Sequence, residues 1–165
     1  MTGQAVKSLR PRKPLAGQSG LVLLAVLIFL LLTTLGASAM VELQRTHTQR
    51  AREEELLFVG DQYRRAIKSY YSSVPAGKSQ SPPRSLDDLL EDKRFPMPVR
   101  HLRRLYPDPM TGEADWVIVQ GAGGILGVHS RSTQSAFKRR KFPIQYRDFQ
   151  DKETYAEWVF VAAVN

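Results

Sequence analysis

The chain has 165 residues and carries 24 Lys plus Arg against 16 Asp plus Glu, a formal charge of +8. That length allows one modest domain with attachments. The absence of cysteine excludes disulfide frameworks, thiolate catalysis and Cys-based zinc sites, and the lack of a second long apolar run excludes a multi-span transporter.

Residues 1–20 form a basic leader in which Lys7, Arg10, Arg12 and Lys13 stand without an acid among them. From Pro14 to Val41 no residue is charged, and Leu21 to Leu35 reads LVLLAVLIFLLLTTL. Its twelve Leu, Ile, Val and Phe residues favour insertion into a bilayer by about 5 kcal/mol. As a helix the stretch from Gly20 to Val41 measures roughly 33 Å, close to the hydrocarbon thickness of a membrane. Residues 21–41 are therefore expected to span once, with the basic N-terminus on the cytoplasmic side. Three fates of this segment stay open. Ala37-Ser38-Ala39 has the small-x-small form of a secretory cleavage site, the run also fits a plain signal anchor, and Gly20 directly before Leu21 offers a cut that leaves the anchor in place.

Residues 42–72 read as an amphipathic extension of that helix. Leu56, Val59, Tyr63, Ile67 and Tyr70 recur at spacings of three and four among Arg50, Arg52, Glu53, Glu54, Arg64 and Lys68. No proline falls between residues 15 and 74, so Leu21 to Tyr71 is expected as one helix on the order of 75 Å long. The alternative is two helices with a break near Gly36 or Gly60.

Residues 73–165 are expected to form a small head. Val74 to Pro83 is linker-like, and Ser85 to Leu90 reads as a short helix with Ser85 as N-cap and Leu86, Leu89 and Leu90 on one face. The prolines at 96, 98, 107 and 109 make Arg94 to Pro109 an ordered loop. Trp116 to Val119 and Ile125 to Val128 flank Gly121-Ala122-Gly123-Gly124 as a hairpin, and Glu157 to Ala162 reads as a last strand. The fold class is thus α+β: a long N-terminal helix packed on an antiparallel sheet of three or four strands.

Few residues point to chemistry. His47, His101 and His129 fall in three different elements without acids at metal-ligand spacing. Asp108, Asp148, Asp151 and Glu153 lack the alternating spacing of a calcium loop, and Gly121 to Gly124 lacks the ending of a phosphate-binding loop. No serine elbow is present, so no cofactor and no enzymatic role is expected. Lys138, Arg139, Arg140 and Lys141 form a basic patch with Arg100, Arg103 and Arg104 upstream. Such a patch suits an acidic partner, a lipid surface or nucleic acid; few aromatics interleave with the charges, which disfavours nucleic acid.

Taken in order, these parts resemble the type IV pilin-like proteins and, within them, the pseudopilins of type II secretion. The residues that carry the resemblance are the leader ending in Gly20, the apolar helix from Leu21, and the stretches EEELLFVGDQYRRAIKSYY (Glu53 to Tyr71), PPRSLDDLLED (Pro82 to Asp92), RHLRRLYPDPMTG (Arg100 to Gly112) and GGILGVHSRS (Gly123 to Ser132). The resemblance implies cleavage by a prepilin peptidase between Gly20 and Leu21, methylation of the new amine, and packing of helices into a filament through Leu21, Leu24, Ala25, Ile28 and Leu32. It implies other pseudopilins or pilins, an inner-membrane assembly platform and the lipid bilayer as partners. The location implied is the bacterial inner membrane, with the head in the periplasm. Arg50, Glu53, Glu54 and Arg64 are the candidate charges between subunits, setting register more than strength because an exposed pair contributes only about 0 to 1 kcal/mol. Ala25 stands where the family has a membrane-buried Glu, and Leu21 replaces the usual Phe, which marks a minor or divergent subunit. The alternative is a single-pass anchored protein whose periplasmic head binds a protein or DNA.

Overall fold

The computed structural model describes the backbone of residues 18–163 and the side chains of residues 20–33 and 45–163. The leader cations Lys7, Arg10, Arg12 and Lys13 lie outside the described residues. Helix α1 runs from Gln18 to Ser72 as one 55-residue element, without a break at Gly60. Contacts divide the chain into Met1–Arg45 and Thr46–Asn165, and α1 contributes to both.

In the first unit every described side chain from Gly20 to Thr33 is exposed. Among the described residues no helix is long and apolar enough to cross a membrane. The described side chains of the apolar run end at Thr33, short of the about 20 residues a span needs.

The second unit is α+β. Leu56, Val59, Tyr63, Ala66, Ile67 and Tyr70 are buried along one side of α1. This is the stripe read from the sequence with Ala66 added, because positions three and four apart return to the same helix face. Against it lies a three-stranded antiparallel sheet in the order β1 (Val117–Gly121), β2 (Gly124–His129), β3 (Phe160–Val161). At Gly60 the helix passes close to β3: a Cβ there would lie 2.5 Å from ring carbons of Phe160. The glycine that offered the alternative break point is therefore a packing glycine inside a continuous helix.

The hairpin differs from expectation in its turn. Gly121 and Gly124 pair with each other, leaving Ala122-Gly123 between them, and the register slips between Val119 and Gln120. Gly124 has φ +154, and a Cβ on it would collide with the Pro83 carbonyl, so the linker packs directly on the start of β2.

The expected last strand from Glu157 to Ala162 shrinks to Phe160–Val161. Tyr155–Glu157 winds as a 3-10 turn because Thr154 and Glu157 form a reciprocal capping box. Trp158, Phe160 and Ala162 still alternate inward, which is the pattern that reads as a strand, but the ladder with β2 holds only Phe160 and Val161 and ends in the Ala162 N–H donating to the Leu126 carbonyl at 2.9 Å. Similarly, the helix expected over Ser85 to Leu90 is a single 3-10 turn, Asp87–Leu89. Ser85 and Asp88 nonetheless bond reciprocally there, Asp88 Oδ2 accepting from the Ser85 N–H at 3.0 Å and Ser85 Oγ from the Asp88 N–H at 3.3 Å.

Stacked and edge-on rings fill the rest of the core. Phe149 stacks on Trp158 at 5.7 Å and on Tyr146 at 5.0 Å, and meets Phe160 edge-on at 5.1 Å.

Candidate functional site

Gly20 lies in the first turns of α1 with nothing within 4 Å of where its Cβ would be. Leu21 is 72% exposed. Leu24, Ile28 and Leu32 are also exposed, as is Ala25. These side chains lie at spacings of three and four on the described part of the apolar run, and each of them is exposed.

The four candidate inter-subunit charges separate into two kinds. Arg50 and Glu54 are exposed and line a recess of about 270 Å3 with Leu57, Phe137 and Lys138. Glu53 turns inward instead: it is buried, and its Oε1 accepts from the Phe137 N–H at 2.6 Å, the Lys138 N–H at 3.1 Å and the Tyr155 hydroxyl at 2.8 Å. Its carboxylate is already used within the chain, so it faces its own head and not a neighbour. Arg64 is likewise engaged internally, with Nη2 2.7 Å from Asp61 Oδ1. The Tyr146 hydroxyl donates to the same Asp61 oxygen, and Arg65 Nε lies 2.5 Å from Oδ2. Burial pushes the Asp61 carboxyl up, but the Tyr146 and Arg64 hydrogen bonds and the two arginine charges outweigh it and hold its pKa below the ordinary value. Burial together with the Asp61 carboxylate raises the Tyr146 phenol to about 12.

A second buried polar group closes the carboxyl end of α1, which has no basic residue in its own last turn. Arg94 Nη2 donates to the carbonyls of Tyr70 at 2.6 Å and Ser73 at 3.0 Å, satisfying acceptors that a helix end leaves open. Its guanidinium lies 3.5 Å from the centre of the Tyr70 ring and is held by Asp92, which is fully buried. Burial alone would raise the Asp92 carboxyl, yet the Arg94 side-chain and backbone hydrogen bonds and the His101 contact hold it at about 2.

Ser69 Oγ is 2.8 Å from His101 Nδ1, and His101 Nε2 is 3.3 Å from Asp92 Oδ2. Serine, histidine and aspartate in that order are the parts of an activated nucleophile. Two features argue for a clamp. Asp92 is already neutralised by Arg94, and Ser69 sits inside α1, whose backbone N–H groups are committed to helical hydrogen bonds and unavailable to an oxyanion.

Asp108 is also spent internally, accepting from Ser130 Oγ at 2.6 Å and the Met110 N–H at 2.9 Å. Among the described residues no group of three or more His, Asp or Glu side chains is placed to hold a metal ion.

In the basic patch Arg139, Arg140 and Lys141 are exposed, while Lys138 is half-buried with Nζ 5.3 Å from the Phe142 ring centre. Sequence reasoning missed the neighbours that give the patch its character, Phe137 at 50% and Ile144 at 79% exposure. It also missed Asp61, although Arg64 and Arg65 three and four residues later are the usual helical spacing for ion pairs. The buried Asp92 and Arg94 had no such local signal.

Compared with known protein families, with curated proteins and with solved structures, the chain matches none.

Proposed function

We propose that the chain is a non-enzymatic structural subunit of a type II secretion pseudopilus or a related type IV pilus. In this reading it is held in the bacterial inner membrane by residues 21–41, with its N-terminus cytoplasmic and its pilin-like head periplasmic. The observation that carries the reading is the unequal use of α1. Its later turns bury Leu56, Val59, Tyr63, Ile67 and Tyr70 in the core of the head, whereas Leu21, Leu24, Ile28 and Leu32 stay exposed on the same helix. Exposed apolar side chains in such density need a bilayer or other helices around them.

Helices that pack on like helices along an axis make heterologous contacts, which extend into filaments unless they close into a ring. Leu21, Leu24, Ala25, Ile28 and Leu32 supply the packing face, and Arg50 and Glu54 remain free to set register. Ala25 removes the carboxylate that would pair with a neighbour's amine, which suits a minor or divergent subunit better than a shaft repeat. A prepilin peptidase acting after Gly20 frees Leu21 for methylation, and an assembly platform with other pseudopilins completes the set of partners.

The test is the N-terminal residue and intact mass of the protein isolated from its native membrane. A chain that begins at methylated Leu21 is the expected result. An intact Met1, or a start at Met40, overturns the proposal.

A further inference from the structure

We propose that the loop from Phe137 to Ile144 is a contact surface for an anionic phospholipid bilayer. The proposal concerns the head and does not depend on filament assembly or on cleavage at Gly20.

The backbone from Ser135 into the first residues of the loop is fastened on two sides. Glu53 of α1 accepts the Phe137 and Lys138 N–H groups, and Gln49 Nε2 donates to the Ser135 carbonyl at 3.2 Å. From the other side the Ala136 N–H donates to the Glu153 carbonyl at 2.8 Å and the Arg139 carbonyl accepts from Asp151 at 3.1 Å. What projects from this fixed base is cationic at its centre and apolar at both ends. Arg139, Arg140 and Lys141 are exposed, and the nearest carboxylate contact, Arg140 to Asp151, is 3.8 Å long between side chains 83% and 75% exposed. Exposed pairs of that kind neutralise little. Asp148 and Glu153 are the other acids of the segment, so residues 138–153 hold six cations against three carboxylates. Lys141 has φ +62, a left-handed conformation that costs a non-glycine residue free energy, and there the chain turns from the exposed cations to the inward Phe142.

Phe137 and Ile144 flank the cations and face solvent. Phospholipid fits both halves of this surface: phosphates take the guanidinium and ammonium groups, and the boundary with the acyl chains takes the phenyl and sec-butyl groups. Nucleic acid takes the cations and finds one exposed ring, that of Phe137, but leaves Ile144 without a partner. Phe142, the other aromatic of the loop, packs edge-on against Phe149 at 5.8 Å and Trp158 at 5.2 Å, and Ile144 has no ring on which a base could stack.

Because the chain has no cysteine, Ile144→Cys provides a unique attachment point for a nitroxide. The full chain carrying this label is reconstituted in phosphatidylcholine nanodiscs with and without phosphatidylglycerol, and accessibility to an aqueous nickel chelate is measured. Accessibility several-fold lower with phosphatidylglycerol is expected, with recovery in high salt. In the Arg139→Gln, Arg140→Gln, Lys141→Gln variant the two lipids should give the same value, since each such cation contributes on the order of fivefold to binding an anionic surface. Equal accessibility in both lipids for the unsubstituted loop overturns the proposal. So does shielding by duplex DNA in phosphatidylcholine discs when phosphatidylglycerol gives none, which assigns the loop to nucleic acid. Co-migration with the discs scores anchoring separately; if the chain stays outside them, the same label is read against added phosphatidylglycerol vesicles with the same two outcomes.

Discussion

Asp92 and Arg94 show what a single residue contributes when it is buried at a helix end. Arg94 bridges the Asp92 carboxylate and two terminal carbonyls of α1, and most of its side chain is out of solvent. Removing one partner of a buried pair leaves an uncompensated charge, which typically costs 3–5 kcal/mol. Asp92→Asn is therefore expected to destabilise the head by about 3 kcal/mol, measured as a fall in the urea midpoint at unchanged slope. Glu53 works in the same way at the other end of the head's helical stretch. It looks like a surface charge in the run Glu53-Glu54-Glu55, yet it is buried and bound to residues 84 and 85 positions away. Local pattern cannot tell the buried glutamate of that run from its exposed neighbours, because the difference lies in where a distant loop passes.

At the scale of elements, α1 was legible and the short elements were less so. The recurrence of Leu56, Val59, Tyr63, Ile67 and Tyr70 at helical spacing is a local property, and those residues are the buried ones. The alternation Trp158-Phe160-Ala162 is also local, but a strand requires a partner, and the ladder with β2 begins only at Phe160, after the 3-10 turn Tyr155–Glu157. The contact of α1 with β3 yields a prediction. In an open helix Gly60→Ala would gain about 1 kcal/mol from helix propensity. Here the new methyl would lie 2.5 Å from the Phe160 ring, and overpacking of a filled core costs roughly 1–3 kcal/mol. Steric cost exceeds propensity, so Gly60→Ala is expected to lower the thermal midpoint, whereas the Gly60→Ala, Phe160→Leu double variant should lose less than the two single changes added together.

For the whole molecule, acid is the informative variable. The folded pKa of Asp92, about 2, is below the ordinary 3.8, so the unfolded chain takes up the proton first as pH falls. The stabilisation is fully present above about pH 4 and is lost as pH drops through 2; the shift corresponds to roughly 2 kcal/mol. Asp61 is lowered as well and adds in the same direction. Thermal unfolding followed from pH 7 to pH 2 should show a midpoint that is flat down to about pH 4 and then falls. Asp92→Asn should flatten part of that fall.

The sequence by itself determined the α+β class, the helical stripe that is buried, the hairpin, the apolar run and the basic loop. All of these rest on spacing, composition or backbone preference within a few residues of one another. Only the tertiary structure decided that Gly60 is a close-packing point, that Glu53 and Arg64 are spent inside the head, that Arg94 caps α1, and that Phe137 and Ile144 stay in solvent beside the cations. Those outcomes depend on which distant segments meet, and hydrogen bonding and burial between residues tens of positions apart are settled by the path of the chain.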